Sequence, residues 1–422
     1  MKGLTMKEKK FSGYLMAILC FLFIFVNMGC LNSLGVFSPS LVQETGYSRY
    51  QISLMFTFAG ASAALTGMFI TPKALKKLGE KKCMLCATIL TAAHFMVYSS
   101  VNKLALLYIG AVMGGMAIGI GLYAACCAIV GHWFIKNRLV MLSIVSAGSP
   151  IGSAFINMFA GRSIMSMGYR NTYRILALFA LIVGIVIILI VRNRPEEMGQ
   201  APLGEAGAED PHAAEELKEG MSFQEAKRNP AFYLVFIGAV LASIAWTGVN
   251  MYLMTLLSSN YGLPLDVATR YDALLRVCIA AFLFIGGKLA DKYGIRRYIF
   301  LVGILLSAGL LVIVLTGSTL ITIPVLLAVV MIVISVGGSH GNANNQLIAN
   351  SVFGRKDFTT IQAYLVSGGN TGIALSAIVA GPFIGADGST LGCFRLFLIC
   401  SVLWLILIQV GIGCSPYVKS KH

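Results

Sequence analysis

Apolar residues occupy long continuous runs along the whole chain, and short polar segments separate these runs. A helix needs about 20 residues to cross a bilayer, which is close to the length of the runs. Alternating segments of about ten residues, typical of a transmembrane barrel, do not appear in the sequence. The pattern therefore predicts an all-α membrane protein with twelve transmembrane helices, at residues 11–36, 50–71, 83–101, 104–130, 139–161, 172–191, 230–257, 268–287, 298–317, 321–350, 359–385 and 392–414.

One long polar stretch, residues 192–229, interrupts the apolar pattern. Its low hydrophobicity and mixed charge predict a mobile linker, with a short surface helix at 222–229. The linker divides the chain into an N-terminal six-helix bundle at 1–191 and a C-terminal six-helix bundle at 230–422, the second ending in a short tail.

Composition supports a membrane location, because hydrophobic residues make up 57% of the chain and charged residues only 12%. Soluble proteins average about 25% charged residues. The net charge of +15 is concentrated on one side of the predicted helices, for example in the turn that carries Lys73, Lys76, Lys77, Lys81 and Lys82. Basic loops face the cytoplasm, so both termini and the linker are predicted to be cytoplasmic, in the cell (inner) membrane. The basic excess thus reflects topology, and no nucleic-acid partner is predicted.

The two predicted bundles repeat one another weakly. The turn at 71–82 aligns with residues 286–297, matching Lys73 with Lys288 and Gly79 with Gly294. Val-Ser-Ala-Gly at 145–148 corresponds to Val-Ser-Gly-Gly at 366–369. Transporters are often built from internal repeats, and these matches indicate a duplicated six-helix unit.

A charged pair lies inside predicted span eight. Asp272 and Arg276 are four residues apart, so they share one face of a helix. Arg276 lies about 15 residues, or roughly 22 Å, from the basic turn that follows the span, inside a bilayer core about 30 Å thick. An arginine at that depth costs at least about 2.5–3.5 kcal/mol, so a functional role is favoured. A purely structural ion pair remains the alternative.

Other polar residues inside spans are candidate ligands. The run at 337–346 contains His340 and either lines a central cavity or packs against other helices. His340 is either a proton relay or a hydrogen-bonded packing residue. Additional candidate ligands for a substrate are Asn32, Tyr123, Asn250, Tyr364 and Asn370.

Enzyme and cofactor signatures are absent from the sequence. Neither G-x-x-x-x-G-K-[ST] nor H-E-x-x-H occurs, so we expect no enzyme, no cofactor and no ATP-driven transport. Cys83-x-x-Cys86 resembles a redox or metal motif only in spacing, and buried small apolar residues are the favoured interpretation, with no metal site.

The segment at 287–297 reads G-x-L-A-D-x-x-G-x-R-R and resembles the loop signature between spans eight and nine of the major facilitator superfamily. The small residues at 146–152 resemble that superfamily's fifth-span motif. The equivalent loop between spans two and three differs, with Lys76 in place of the acidic residue. The resemblance implies a major facilitator fold, alternating access and a gating role for Gly287, Asp291, Gly294, Arg296 and Arg297.

Narrower features resemble the oxalate:formate antiporter and monocarboxylate transporter group. They are G-V-F-S-P-S-L at 35–41, E-T-G-Y-S at 44–48, H-W-F at 132–134 and R-x-R-P-E-E-M-G at 192–199. Asp272-x-x-x-Arg276 is similar to the charged pair of monocarboxylate transporters. Segment 359–385 has no lysine where the oxalate exchanger type carries one, and span one offers Asn27 and Asn32 instead of a lysine. A single fixed cation favours a monoanion.

These features together predict a secondary active transporter of a small organic anion. The favoured mechanism is proton symport of a monocarboxylate, with the anion on Arg276 and the proton on Asp272. An oxalate/formate-type exchanger without proton coupling is the alternative, and a transporter-like membrane sensor is a further one. The expected partners are a small carboxylate anion, the proton and the lipid bilayer, and a monomer is expected.

Overall fold

The computed structural model describes residues 12–134, 138–203, 220–338, 348–349, 351–354 and 356–420. Nearly all of these residues are helical, and the only bridges found among them are the isolated pairs Phe134–Leu203 and Gly220–Gly354. Eight of the described helices are long and apolar enough to cross a membrane. The predicted all-helical class is confirmed.

Each predicted span of the first half is helical. The helices are Gly13–Leu31 and Leu34–Thr45 (span one), Arg49–Leu65, Thr66–Ile70 and Thr71–Leu78 (span two), Glu80–Ser99 (span three), Leu104–Ala117, Ile118–Leu122 and Tyr123–Trp133 (span four), and Arg138–Ile190 (spans five and six).

The second half follows the same plan. Its helices are Pro230–Met254 and Thr255–Asn260 (span seven), Leu265–Tyr293 (span eight), Ile295–Thr316 and Gly317–Thr322 (span nine), Pro324–Gly338 (described part of span ten), Phe358–Ala380 and Gly381–Phe383 (span eleven), Leu391–Cys414 (span twelve) and the short Pro416–Ser420. The linker contributes Pro195–Met198 and Phe223–Arg228, the latter where a short helix was predicted.

Local chemistry explains where several helices begin. Ser48 and Ser222 each form a capping box, in which the serine oxygen accepts a backbone N–H and the residue three positions later returns the bond. In the second box, hydrogen bonds from the Ser222 backbone and hydroxyl lower the pKa of the Glu225 carboxyl. Pro230 and Pro324 occupy first helical positions, where the missing N–H costs nothing.

Two helices run further than their hydrophobicity predicts. Span one continues through Pro39 to Thr45, because Leu34, Phe37 and Leu41 are buried and tertiary packing sustains the helix. Spans five and six were predicted to end at 161 and to restart at 172. The chain instead stays helical to a reversal at Gly168, where φ is 80°.

The predicted repeat is visible in the backbone of two turns. Gly79 has φ 79° and ψ 169°, and Gly294, its predicted counterpart, has φ 80° and ψ 148°. A residue with a Cβ rarely adopts this region, so glycine is needed to reverse the chain there. Both turns lie at the end of the bundle that carries the linker, which is named the linker end below; the opposite end, with loops 46–48 and 261–264, is named the outer end.

Small residues bring helices together inside the first half. A Cβ added at Gly148 would lie 2.5 Å from the Phe21 backbone oxygen, and one at Gly152 would lie 2.0 Å from that of Phe25. The fifth-span motif therefore packs directly on the backbone of span one, as small residues do at membrane helix interfaces.

The described glycine contacts between the two halves lie from mid-helix to the outer end. Gly60 of span two meets Ile373 of span eleven, with an added Cβ at 2.8 Å, and Gly161 of span five meets Thr269 of span eight at 2.7 Å. Gly381 likewise meets the ring of Tyr50. These contacts pack the halves together at the end that the basic residues assign to the outside.

Candidate functional site

Asp272 and Arg276 form a buried ion pair on span eight. The Arg276 Nε donates to the Asp272 Oδ2 at 2.7 Å, and the two residues are only 3% and 7% exposed. The four-residue spacing places them one helical turn apart, as expected. Each charge stabilises the other at this depth, because an unpaired ion in a low-dielectric interior has a high free energy of desolvation.

Asn157 of span five also contacts the pair, although it belongs to the other half. Its Nδ2 donates to the same Asp272 Oδ2 at 2.6 Å, and the residue is 1% exposed. Sequence reasoning missed this residue because it lies within an apolar run. A signal was available: Ser149, Ser153 and Asn157 recur every four residues and so form one polar stripe.

Asn250 of span seven holds the other side of the guanidinium. An Arg276 terminal amino group (Nη2) donates to the Asn250 Oδ1 at 3.2 Å, and the Asn250 Nδ2 donates to the Trp246 backbone oxygen at 2.9 Å. The guanidinium thus lies between a carboxylate on its own helix and an amide on the neighbouring span. These two hydrogen bonds fix the plane of the guanidinium.

Asn32 and Tyr123 lie within the first half. The Asn32 Nδ2 donates to the hydroxyls of Ser149 and Ser153, each at 3.1 Å, while Tyr123 lies beside Ser149. Ser153 is fully buried, so this group joins spans one, four and five. The structure brings these two predicted ligands to the polar stripe of span five rather than into the described contacts of Arg276.

The two candidates on span eleven occupy different places. Tyr364 stacks on Phe223 of the linker helix, with ring centroids 4.7 Å apart, and is 46% exposed, so it lies at the linker end away from the pair. Asn370 lies one helical turn before Ile373 and Ala374, on the face that meets span two. Asn370 therefore borders the space between the halves, whereas Tyr364 contacts the linker.

The predicted gating residues lie around the turn at Gly294. Arg296 and Gln409 bond reciprocally, with Arg296 Nε donating to the Gln409 Oε1 at 3.3 Å and Gln409 Nε2 donating to the Arg296 backbone oxygen at 3.0 Å. Arg297 is exposed. His340 and the side chain of Asp291 lie outside the described part of the chain, as does the burial of Gly287, so their roles stay predictions.

Metal-binding geometry is not found among the described residues. They contain no group of three or more His, Cys, Asp or Glu side chains able to hold an ion. Cys83 is buried and Cys86 half-buried, which fits the interpretation of both as small apolar residues.

Comparison with solved structures defines the class of protein. The chain superimposes on a mutant of the nucleoside transporter NupG with a TM-score of 0.74 and 13% sequence identity, covering 94% of this chain and 99% of that one. The fold is therefore that of a multi-pass helical membrane transporter with two halves. Residues 19–275 and 272–420 match the family model of the Major Facilitator Superfamily, and the chain belongs to that superfamily. The family and the structural neighbours are transporters rather than enzymes.

Two curated relatives show the range of the family. A probable hexose phosphate transport protein from Chlamydia pneumoniae is 24% identical over 278 residues, which is 60% of this chain and 59% of the relative. The cis,cis-muconate transport protein of Acinetobacter baylyi is 22% identical over 292 residues, which is 68% of each chain. The chain thus spans only about three fifths of the length of the chlamydial relative.

Proposed function

We propose that this transporter is a proton symporter for a small monocarboxylate, acting in the cell (inner) membrane as a monomer. The observation that carries the proposal is the buried Arg276 guanidinium, held between Asp272 and Asn250 where the two halves meet. Relatives named for hexose phosphate and cis,cis-muconate carry organic anions, which supports an anionic substrate. Among the described residues, Arg276 is the one arginine that is buried, and it lies in the middle of its helix. One fixed positive charge favours a substrate with one negative charge.

The ion pair provides a site that the anion can compete for. In the empty carrier, the Asp272 carboxylate neutralises Arg276, so the halves can move without a bare charge. An arriving carboxylate competes for the guanidinium, whose planar fork matches a planar carboxylate. Asn250 keeps the guanidinium in place during this exchange, because it holds Nη2 while Asp272 holds Nε.

Displacement from Arg276 makes Asp272 the proton carrier. A carboxylate that loses its counter-charge in a low-dielectric site favours its neutral form and takes up a proton. The loaded site then gains one negative charge with the anion and one positive charge with the proton. Empty and loaded carriers therefore have equal charge, and symport of one anion with one proton is electroneutral.

The test is uptake of labelled short-chain monocarboxylates into proteoliposomes, with and without an inward proton gradient. The wild-type protein should accumulate the anion in response to the gradient. Asp272→Asn should lose that response while keeping anion exchange. A matched control is Asp266→Asn, because Asp266 and Arg270 form a second pair of the same spacing on the same helix, 3.2 Å apart and more exposed.

Each result decides between the candidates. Gradient-driven accumulation by Asp272→Asn would show that the proton travels elsewhere and would refute this mechanism. Exchange without any gradient response in the wild-type protein would instead favour the anion exchanger. Uptake of labelled hexose phosphate or muconate in preference to monocarboxylates would refute the substrate class.

A further inference from the structure

Asn157 forms a hydrogen bond between the two halves that nothing in the superfamily signature explains. Its Nδ2 and the Arg276 Nε converge on one oxygen, the Asp272 Oδ2, at 2.6 and 2.7 Å. Within the described part of the chain, the Asn157 Oδ1 is buried without a hydrogen-bond partner. A buried amide with one unsatisfied polar atom lowers the stability of the fold. A functional role for its contact with Asp272 would explain why such a residue is placed there.

The Asn157–Asp272 bond lies below a cavity at the outer end of the molecule. One turn nearer the outer end, Gly161 meets Thr269 with no room for a Cβ, which would lie 2.7 Å from the threonine side chain. A further turn outward, Ile164 and Leu265 line a cavity of about 450 Å³ at the outer end. The contact between Gly161 and Thr269 therefore lies between this cavity and the bond of Asn157 to Asp272, and both contacts join spans five and eight. If these spans separate, the cavity connects to Asp272 and the Asn157 bond breaks.

We propose that Asn157 is a positioning residue that couples the charge of Asp272 to closure of the outer end; this inference rests on the proposed role of Asp272 as proton carrier. A hydrogen bond to a carboxylate is roughly twice as strong as one between neutral groups. While Asp272 is ionised, the Asn157 amide donates to a charged oxygen and holds span five against span eight. When Asp272 is neutral, that acceptor loses its charge and the bond weakens.

The Asn157 Oδ1 can bond to a protonated Asp272 only after the amide group rotates. A protonated Asp272 becomes a donor, and the unpartnered Asn157 Oδ1 is an acceptor. The amide has to rotate before these two meet, so the new bond can form only after the weakened bond from Nδ2 to Asp272 has broken. The bond is thus strong in the empty carrier and weak in the loaded one, which biases the empty carrier towards a closed outer end.

Few other groups can produce a charge response at this position. Among the described residues in contact with Asp272, Arg276 on its own helix is the charged one, and it also bonds Asn250 of span seven. Span five contributes the neutral Asn157. The next pair outward, Gly161 and Thr269, does not titrate. Glu44 lines the outer cavity and Asp266 pairs with Arg270, so these are further ionisable groups at that end, but the described hydrogen bond of Asn157 goes to Asp272. A response to pH at the outer end that depends on Asn157 therefore reports Asp272.

The experiment measures the distance between the halves at the outer end in the presence of a short-chain monocarboxylate, which occupies Arg276 and frees Asp272 to take up a proton. Spin labels are placed by Lys103→Cys and Ser318→Cys, at exposed positions in the loop after span three and in the last turns of span nine, in a background lacking the ten native cysteines. In lipid nanodiscs, the wild-type protein should show the short distance at high pH and a growing long-distance population as pH falls. The matched control is Ser153→Ala, which removes a buried polar group one turn away that is bonded only within the first half.

Asn157→Leu keeps the approximate volume and removes the donor. At high pH it should raise the long-distance population about fivefold, the difference between charged and neutral hydrogen bonds, and it should flatten the pH response. Asn157→Ser, too short to reach Asp272, should behave in the same way if the leucine variant does not fold. Ser153→Ala should follow the wild-type curve.

An unchanged pH response in both Asn157 variants, or an equal loss in Ser153→Ala, would overturn the inference. The proposed function has its own test, which does not involve Asn157. It is refuted if Asp272→Asn still accumulates the anion in response to an inward proton gradient. Gradient-driven uptake by Asn157→Leu with a flattened distance response supports both statements together.

Discussion

At the scale of single residues, Arg276 combines two tasks that a simple cation does not. It neutralises Asp272 through Nε and bonds Asn250 through Nη2. A planar guanidinium can do this because its five N–H groups point in fixed directions. A lysine ammonium is a compact charge on a flexible stem and cannot hold both partners in the same geometry.

Arg276→Lys should therefore impair transport although the charge is kept. Loss of one hydrogen bond involving a charged group, about 1.5–3 kcal/mol, predicts a fall of roughly ten- to a hundredfold in uptake efficiency. The measurement is the initial rate against substrate concentration in proteoliposomes. Arg270→Lys on the same helix is the control, since its pair with Asp266 is exposed and should matter little. Equal, small effects of both changes would mean that the guanidinium shape is irrelevant.

At the scale of helices, glycine residues allow two helices to approach each other closely. Gly152 allows span five to lie against the backbone of span one, where a Cβ would be 2.0 Å from the Phe25 oxygen. The same contact places Ser149, Ser153 and Asn157 along one face, so helix packing aligns the stripe that reaches Asp272.

Gly152→Ala should separate spans one and five and destabilise the protein by about 1–3 kcal/mol, the usual cost of overpacking. Thermal unfolding in detergent measures the change. Gly413→Ala is the matched control, because that helical glycine has open space around it and alanine favours helix by up to about 1 kcal/mol. Equal melting temperatures for the two variants would contradict the tight packing of spans one and five.

At the scale of the whole molecule, the described contacts between the halves extend to the outer surface. Arg49, at the start of span two, lies over the loop of the second half, with its Nε 3.1 Å from where a Cβ of Gly388 would be. Asp387 of that loop lies within electrostatic range of the guanidinium. The attraction between these two charges would add a surface layer to the contacts that Gly161 and Asn157 make deeper in the molecule.

Arg49→Gln should therefore open the outer end modestly, by the 0.2–1 kcal/mol typical of an exposed pair, an effect that high salt removes. The distance between labels at Lys103→Cys and Ser318→Cys measures it. The charge exchange Arg49→Asp with Asp387→Arg should restore the wild-type distances. Failure of that exchange, together with an unchanged distance in Arg49→Gln, would show that the two residues do not act together.

The all-helical class and the charged pair followed from local properties of the chain. Hydrophobic length determines which segments can cross a bilayer, and a four-residue spacing places Asp272 and Arg276 on one helical face. The turns at Gly79 and Gly294 were visible for the same reason, because a repeated polar segment with glycine predicts a reversal of the chain.

Only the tertiary structure decided which residues meet across helices. Asn157 looked like part of an apolar run, yet packing brings it to Asp272 from a helix 115 residues away in the chain. Tyr364 looked like a ligand, yet span eleven turns it towards Phe223 of the linker. The continuation of span one to Thr45 was likewise set by burial against other helices. The sequence pattern shows which residues of a segment can be buried. Which helix they pack against depends on the rotation and tilt of each helix in the assembled bundle.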